Sequence, residues 1–201
     1  MLRVVSSLRC DIGSDVYIAV HATRKIRARS SCRGAGNGAH GHAPRVFSGT
    51  HALMNAMLKA SSAGAAGAVV TNVLHEVVRR STPDAPRVDL LGMQGIARGM
   101  KSLGVDGPKG RALYGTTLAA DLISNGAYFA CVAAGKENAL MTGALLGLAA
   151  GIGAVVLPGP MGFTAETTSR NGITSALSVL LYTAGGITAG LVYAALSGDD
   201  A

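Results

Sequence analysis

The stretch NALMTGALLGLAAGIGAVVL, residues 138–157, decides the fold. It lies inside a run of 28 residues between Glu137 and Glu166 that contains no charged side chain. A helix of about 20 predominantly apolar residues suffices to cross the hydrocarbon core of a bilayer, so the stretch predicts a transmembrane helix. Three glycines recur in it at every fourth position, a spacing typical of a helix face on which another backbone packs closely: Gly143, Gly147 and Gly151.

Three further segments complete the predicted membrane domain. A second uncharged run of 28 residues, from Asn171 to Gly198, predicts a span at about 173–196. Residues 112–134 form a third candidate whose only charged side chain is Asp121. The fourth candidate, at 60–78, is rich in Ala and Gly but is interrupted by polar residues that include His75 and Glu76. The sequence therefore predicts an all-α protein in which residues 54–201 form a four-helix transmembrane bundle.

A short amphipathic helix is predicted between the first two spans. Pro83 and Pro86 keep the residues that follow Arg80 out of a helix. From Leu90 to Leu103 apolar side chains recur at spacings of three and four, which predicts a helix that lies in the membrane interface. The segment 79–111 carries seven Lys or Arg residues against three Asp residues, and the positive-inside rule therefore predicts that it is cytoplasmic.

The first 53 residues differ from the rest of the chain. Five basic residues between Arg24 and Arg33 lead into a Gly- and His-rich segment without sustained periodicity, which predicts a disordered basic extension. With the segment 79–111 in the cytoplasm, four spans would place the N-terminus outside, whereas the basic residues of the extension favour the cytoplasmic side. A translation start at Met54 or Met57 removes this conflict and is the preferred hypothesis.

The net charge of +7 is interpreted as a topological signal. No aromatic residues interleave with the basic ones and no nucleic-acid-binding module is recognisable, so nucleic acid is not a predicted partner. The lipid bilayer is the predicted partner.

Asp121 is the residue to which the sequence best assigns a function. It lies roughly 13 Å into its predicted span at about 1.5 Å per residue, close to the bilayer middle, where an ionised carboxylate costs at least about 2.5 kcal/mol. Two interpretations remain open: a proton or cation site, with His75 as a candidate partner, or a structural residue that is protonated or hydrogen-bonded. Four polar residues share its helix face: Thr117, Ser124, Asn125 and Tyr128.

His75 and Glu76 begin a pattern like the zinc-protease motif HExxH, but Arg79 stands where the second histidine ligand belongs. The spacing favours an ion pair of Glu76 with Arg79 or Arg80 on one helix face. Neither a metal site nor a cofactor is predicted.

The glycine ladder on the third span has two interpretations. Gly186 and Gly190 on the last span offer a matching surface, so the ladder serves packing within one chain or a homo-oligomer interface. Packing within one chain is favoured because four spans must already pack together.

Three runs carry a resemblance to a protein family: HEVVRR at 75–80, PDAPRVDLLGM at 83–93 and ADLISN at 120–125. Together they resemble small uncharacterised bacterial multi-pass membrane proteins, over roughly residues 57–196. The resemblance implies an integral protein of the bacterial inner membrane with four spans, and it implies no activity.

Three functional hypotheses follow. The first is a non-enzymatic structural or assembly protein of the membrane. The second is a proton or cation conduit that uses Asp121, Asn125 and Ser124, with His75 and Glu76 nearby. The third, a lipid-acting interfacial enzyme with His75 or Glu76 as base, ranks last because no nucleophile or metal set accompanies them.

Overall fold

The computed structural model describes residues 46–198, and this part of the chain consists of helices joined by loops, without a strand. The prediction of an all-α protein is confirmed for these residues. The elements in chain order are α1 (Val46–Ser81), α2 (Val88–Ser102), α3 (Gly110–Ala130), a 3-10 segment (Cys131–Asn138), α4 (Ala139–Val156), the short α5 (Glu166–Ser169) and α6 (Gly172–Gly198).

Three segments are long and apolar enough to cross a membrane. They are Gly110–Gly135, Ala139–Val156 and Gly172–Gly198, and their ends lie within two residues of the predicted spans. α1 has 36 residues but does not belong to this set, so the predicted fourth span is not confirmed. The physical reason is composition, because Asn72, His75 and Glu76 interrupt the apolar half of α1 just before two arginines.

α1 also begins earlier than the sequence predicts. The predicted disordered extension reached residue 53, but the helix already begins at Val46, so the prediction is wrong for residues 46–53. Leu53, Met54 and Met57 are good helix formers. The rest of the predicted extension, residues 1–45, lies outside the described residues.

α4 and α6 pack backbone to backbone along their glycines. Gly143, Gly147 and Gly151 are all buried, and a Cβ placed on Gly147 would lie 2.5 Å from the carbonyl oxygen of Tyr182 in α6. From the other side, a Cβ on Gly190 would lie 2.6 Å from the carbonyl oxygen of Ala139. The glycine ladder is therefore covered by α6 of the same chain, and it leaves no room for a side chain.

α1 packs against both α3 and α6 through glycines of its own. Gly64 meets the backbone of Gly126 in α3, and a Cβ on Gly67 would lie 2.7 Å from the carbonyl oxygen of Gly185 in α6. Phe129 and Val132 are fully buried at this level. The three helices thus touch closely over the turns that precede Asn72 in α1.

The connections at the opposite end of α1 are tied to one another. The backbone N–H of Arg87 donates to the carbonyl oxygen of Thr167 at 2.6 Å, and the Thr174 hydroxyl donates to the carbonyl oxygen of Asp84 at 2.9 Å. The Asn171 side-chain amide donates to the Asp84 carboxylate at 2.8 Å. The α1–α2 connection and the segment before α6 therefore lie at one end of the molecule.

The predicted amphipathic helix is present as α2, with bounds close to the predicted ones and no fully buried residue. Gln94 accepts a hydrogen bond from the backbone N–H of Thr164 at 3.1 Å, and the Arg98 guanidinium lies 4.7 Å from the centre of the Phe163 ring. α2 thereby holds the loop between α4 and α5. Its posture in the membrane interface stays a prediction.

Candidate functional site

A cleft of about 460 Å³ lies between α1 and α3. Residues 69–80 of α1 form one wall, residues 114–122 of α3 form the other, and residues 86–89 line its rim at the α1–α2 connection. We call it the α1–α3 cleft. It has a polar floor at Asp121, apolar outer walls at Val69, Val73 and Leu118, and a charged rim at Glu76, Arg79, Arg80 and Asp89.

Asp121 lies on the floor of the cleft and is held by α1. The side-chain amide of Asn72 donates to Asp121 Oδ2 at 2.8 Å. The same amide also donates to the carbonyl oxygen of Ala68, one turn earlier in α1, at 3.0 Å. Asp121 follows the start of α3 by eleven residues, or roughly 16 Å of helix, so this contact lies deep along both helices.

Polar groups without partners surround this contact. His75 has only 6 % of its surface exposed, and neither of its ring nitrogens has a hydrogen-bond partner among the described residues. The same holds for the hydroxyl of Thr117, one turn before Asp121, and for the side-chain amide nitrogen of Asn125, one turn after it. A buried polar atom without a partner typically costs about 1–3 kcal/mol. His75 and Thr117 line the cleft, so each of them can donate a further hydrogen bond to a ligand, and each can also accept one.

His75 is oriented by α6 rather than by Asp121. Its ring meets the ring of Tyr182 edge to face, with the ring centres 5.4 Å apart. The structure does not contain the predicted contact between His75 and Asp121, because neither ring nitrogen of His75 makes a hydrogen bond within residues 46–198. Both residues nevertheless line the same cleft.

The rim carries charges that are paired with one another. Glu76 accepts hydrogen bonds from Arg79 at 2.8 Å and from Arg80 at 2.6 Å, which is the pairing that the helix spacing predicts. Glu76 therefore lies at the mouth of the cleft rather than on its floor.

A second ion pair lies on the rim, where Arg87 binds both oxygens of Asp89 at 3.0 and 2.9 Å. Partial burial acts to raise the pKa of Asp89, but the hydrogen bonds and charge of Arg87 outweigh it and hold that pKa below its ordinary value. Asp89 is thus ionised at neutral pH.

The end of the cleft away from the rim is closed. Just past the floor, the backbones of Gly64 and Gly126 touch, and Ala63 and Phe129 have no exposed surface. The cleft consequently opens toward the end of the molecule that carries the α1–α2 connection and toward the outer surface, but not toward the far end of α1 and α3.

The structure separates the residues that the sequence grouped on one face of α3. Ser124 is exposed, and its hydroxyl donates to the backbone carbonyl of Asp121 at 3.2 Å, so it does not reach the cleft. Tyr128 donates to the carbonyl oxygen of Leu146 in α4 at 3.0 Å. Asp121 and Thr117 line the cleft, and Asn125 is half-buried one turn beyond it.

Asn72 is the site residue that sequence reasoning missed. In the sequence Asn72 is only one of the polar residues that interrupt an apolar segment, yet it is the side chain from α1 that binds Asp121. The signal was its spacing, because Asn72 precedes His75 by three and Glu76 by four residues and so shares their helix face.

Comparisons of the chain with protein-family models, with curated proteins and with solved structures found no match. The resemblance to small bacterial membrane proteins therefore stays a prediction.

Proposed function

We propose that the protein is an integral membrane protein that binds a proton or cation at Asp121 and conducts it through the α1–α3 cleft. The observation that carries the proposal is the floor of that cleft, where a carboxylate with one hydrogen-bond donor from α1 lies beside buried polar groups that have no partner. Intramembrane acids are costly and mark ion or proton pathways by default. The unused hydrogen-bonding capacity supports a site that is completed by a ligand.

We propose that α1 crosses the membrane as a fourth span. Its polar residues are the reason for its low hydropathy, and they face protein: Asn72 binds Asp121 and His75 packs on Tyr182. Gly67 of α1 lies against Gly185 of α6, which supports a position alongside a span rather than outside the membrane. The resulting orientation puts the basic segment 79–111 on the cytoplasmic side, in keeping with the positive-inside rule, and the resemblance would make this the bacterial inner membrane.

The closed far end of the cleft sets the mode of conduction. An open channel would need a polar path past Gly64 and Gly126, whose backbones touch. Conduction through this site therefore requires that the contact between α1 and α3 opens while the rim closes, as in a carrier.

A structural or assembly role is the second candidate. It is favoured by the glycine contact between α4 and α6, which makes a scaffold from the two most apolar helices. A homo-oligomer would have to form through faces other than the glycine ladder, since α6 of the same chain covers that ladder.

Ion movement into proteoliposomes separates the two candidates. Asp121→Asn keeps the size of the side chain and an oxygen that can accept from Asn72, but it removes the titratable charge. We expect proton or cation flux with the wild-type protein and a fall to the level of protein-free liposomes with Asp121→Asn. Asp106→Asn, which changes an exposed acid in the α2–α3 loop, is the matched control and should leave the flux unchanged. Flux that survives Asp121→Asn, or a wild type that shows none, would leave only the structural role.

A further inference from the structure

We infer that the α1–α3 cleft takes a lipophilic organic cation, with its charged group at Asp121 and its apolar body between α1 and α3. This inference rests on the proposed function and names the substrate class of the same site. Four properties of the cleft lead to it: its size, its walls, its charge and its donor set.

The size of the cleft exceeds what a proton or a bare ion needs. Sites for small organic molecules typically enclose about 300–1,000 Å³, and this cleft encloses about 460 Å³. A space of that size suits a molecule with an apolar body of several rings or a short chain.

The walls of the cleft are aliphatic and reach the outer surface of the protein. Val69 and Val73 on α1 are 50 % and 54 % exposed, and Leu118 on α3 is 38 % exposed. All three line the cleft. In a membrane this edge faces the acyl chains, so an amphiphilic molecule can enter sideways from the bilayer without crossing the charged rim.

The charge of the floor selects a cation. Glu76 and Asp89 on the rim are already paired with arginines, whereas the hydrogen bond that Asp121 accepts from α1 comes from the neutral amide of Asn72. Of the acids that line the cleft, Asp121 is therefore the one whose charge the described residues leave without a counterion. A cationic ligand supplies that charge.

The donor set argues against an inorganic ion. Structural zinc takes four nitrogen, sulfur or oxygen ligands and calcium takes six to eight oxygens, whereas residues 46–198 hold no group of three His, Cys, Asp or Glu side chains that could bind a metal. An organic cation needs fewer ligands because its charge is spread over a large apolar body. Moving such a charge out of water also costs less than moving a compact ion.

A pair of probes of matched shape and opposite charge tests the inference. Tetraphenylphosphonium is a cation that cannot donate a proton, and tetraphenylborate is an anion of nearly the same size. With purified protein in proteoliposomes, we expect saturable binding of tetraphenylphosphonium at one site per chain, weakened on the order of tenfold or more by Asp121→Asn, since a tenfold change needs only about 1.4 kcal/mol. Asp106→Asn is the control that should bind like wild type. Tetraphenylborate should show no binding that depends on Asp121.

A second variant keeps the test decisive if Asp121→Asn does not fold. Val73→Trp fills the outer part of the cleft with a large side chain and keeps Asp121, so it should block the phosphonium by volume alone. Binding that survives both variants, or an absence of saturable binding to wild type, overturns the inference.

The outcomes also separate this inference from the proposed function. Ion flux that depends on Asp121 without phosphonium binding would overturn the organic cation and leave the proton or inorganic cation in place. Tetraphenylborate binding that is lost when Arg79 and Arg80 are replaced by Gln would assign the cleft to an anion and overturn the inference.

Discussion

Gly147→Ala should weaken the contact between α4 and α6 and lower the stability of the folded protein. The new Cβ would lie 2.5 Å from the carbonyl oxygen of Tyr182 and 2.6 Å from the Cα of Thr183, both of them backbone atoms. An ordinary contact begins near 3.4 Å, so the two helices have to separate locally by roughly 1 Å. Overpacking of this kind typically costs about 1–3 kcal/mol.

Gly153→Ala is the matched control on the same helix. A Cβ there would lie 3.5 Å from Leu157 Cδ1, which is an ordinary contact, so nothing has to move. Alanine also favours a helix over glycine by up to about 1 kcal/mol, and this variant should therefore be neutral or slightly more stable than wild type.

Equilibrium unfolding in mixed micelles measures both effects. The fraction of sodium dodecyl sulfate is raised stepwise and the loss of structure is followed by circular dichroism. We expect the midpoint of Gly147→Ala to fall well below that of wild type and the midpoint of Gly153→Ala to stay at or above it. Equal midpoints for the two alanine variants would refute the close contact between α4 and α6.

Three further predictions concern the contacts around the cleft. Asn72→Ala should cost about 1–3 kcal/mol in the same unfolding assay because it leaves the Asp121 carboxylate without its donor from α1, and the cost should shrink when Asp121 is already Ala. Arg87 holds the pKa of Asp89 below its ordinary value of 3.8, so the stability from this pair is present above that pH and is lost as the pH falls through the lower folded-state pKa. Arg87→Gln should therefore flatten the acid dependence of the thermal midpoint. An unchanged acid dependence would contradict the pairing. Arg98→Ala should release the loop between α4 and α5 from α2 and speed its cleavage by protease, whereas an unaltered cleavage rate would show that the contact does not hold the loop.

The positions of the most apolar helices could be predicted from the sequence because they depend on residues within and next to each helix. The spans predicted at 138–157 and 173–196 agree with α4 and α6 to within two residues at each end, and the two prolines before Val88 mark the start of α2. The recurrence of glycine at every fourth position indicates a packing face on α4. It could not indicate the partner, because the same spacing serves a contact within one chain and a contact between chains.

The role of α1 could not be predicted in the same way because it depends on distant residues. The polar side chains that lower its hydropathy are accommodated by tertiary contacts, such as the hydrogen bond between Asn72 and Asp121, which are 49 positions apart. The composition of this segment shows Asn72 only as a polar residue that interrupts an apolar helix. Its hydrogen-bond partner Asp121 is visible only in the tertiary structure.

The polar face of α3 was predicted too broadly for a geometric reason. At about 3.6 residues per turn, positions three and four residues after Asp121 lie on opposite sides of its helix face. Ser124 therefore points outward and is exposed, whereas Asn125 is half-buried. The sequence locates the polar face of α3, but the position of α1 decides which residues of that face form the floor of the cleft.

Water access to the cleft tests the central claim most directly. Single cysteines are placed at Asp121 on the cleft floor, at Ile123 on the exposed outer side of α3 and at Phe129 in the closed core, in a chain whose native cysteines are replaced by alanine. Each variant is reconstituted in liposomes and treated with a charged, water-soluble thiol reagent, and the rate of labelling is measured by mass. We expect fast labelling at position 121 from the side that carries residues 79–111, with slow labelling at 123, which faces lipid, and at 129, which is buried. Labelling at 121 that is no faster than at 123 would mean that no aqueous cleft reaches Asp121, and it would contradict a proton or cation site there.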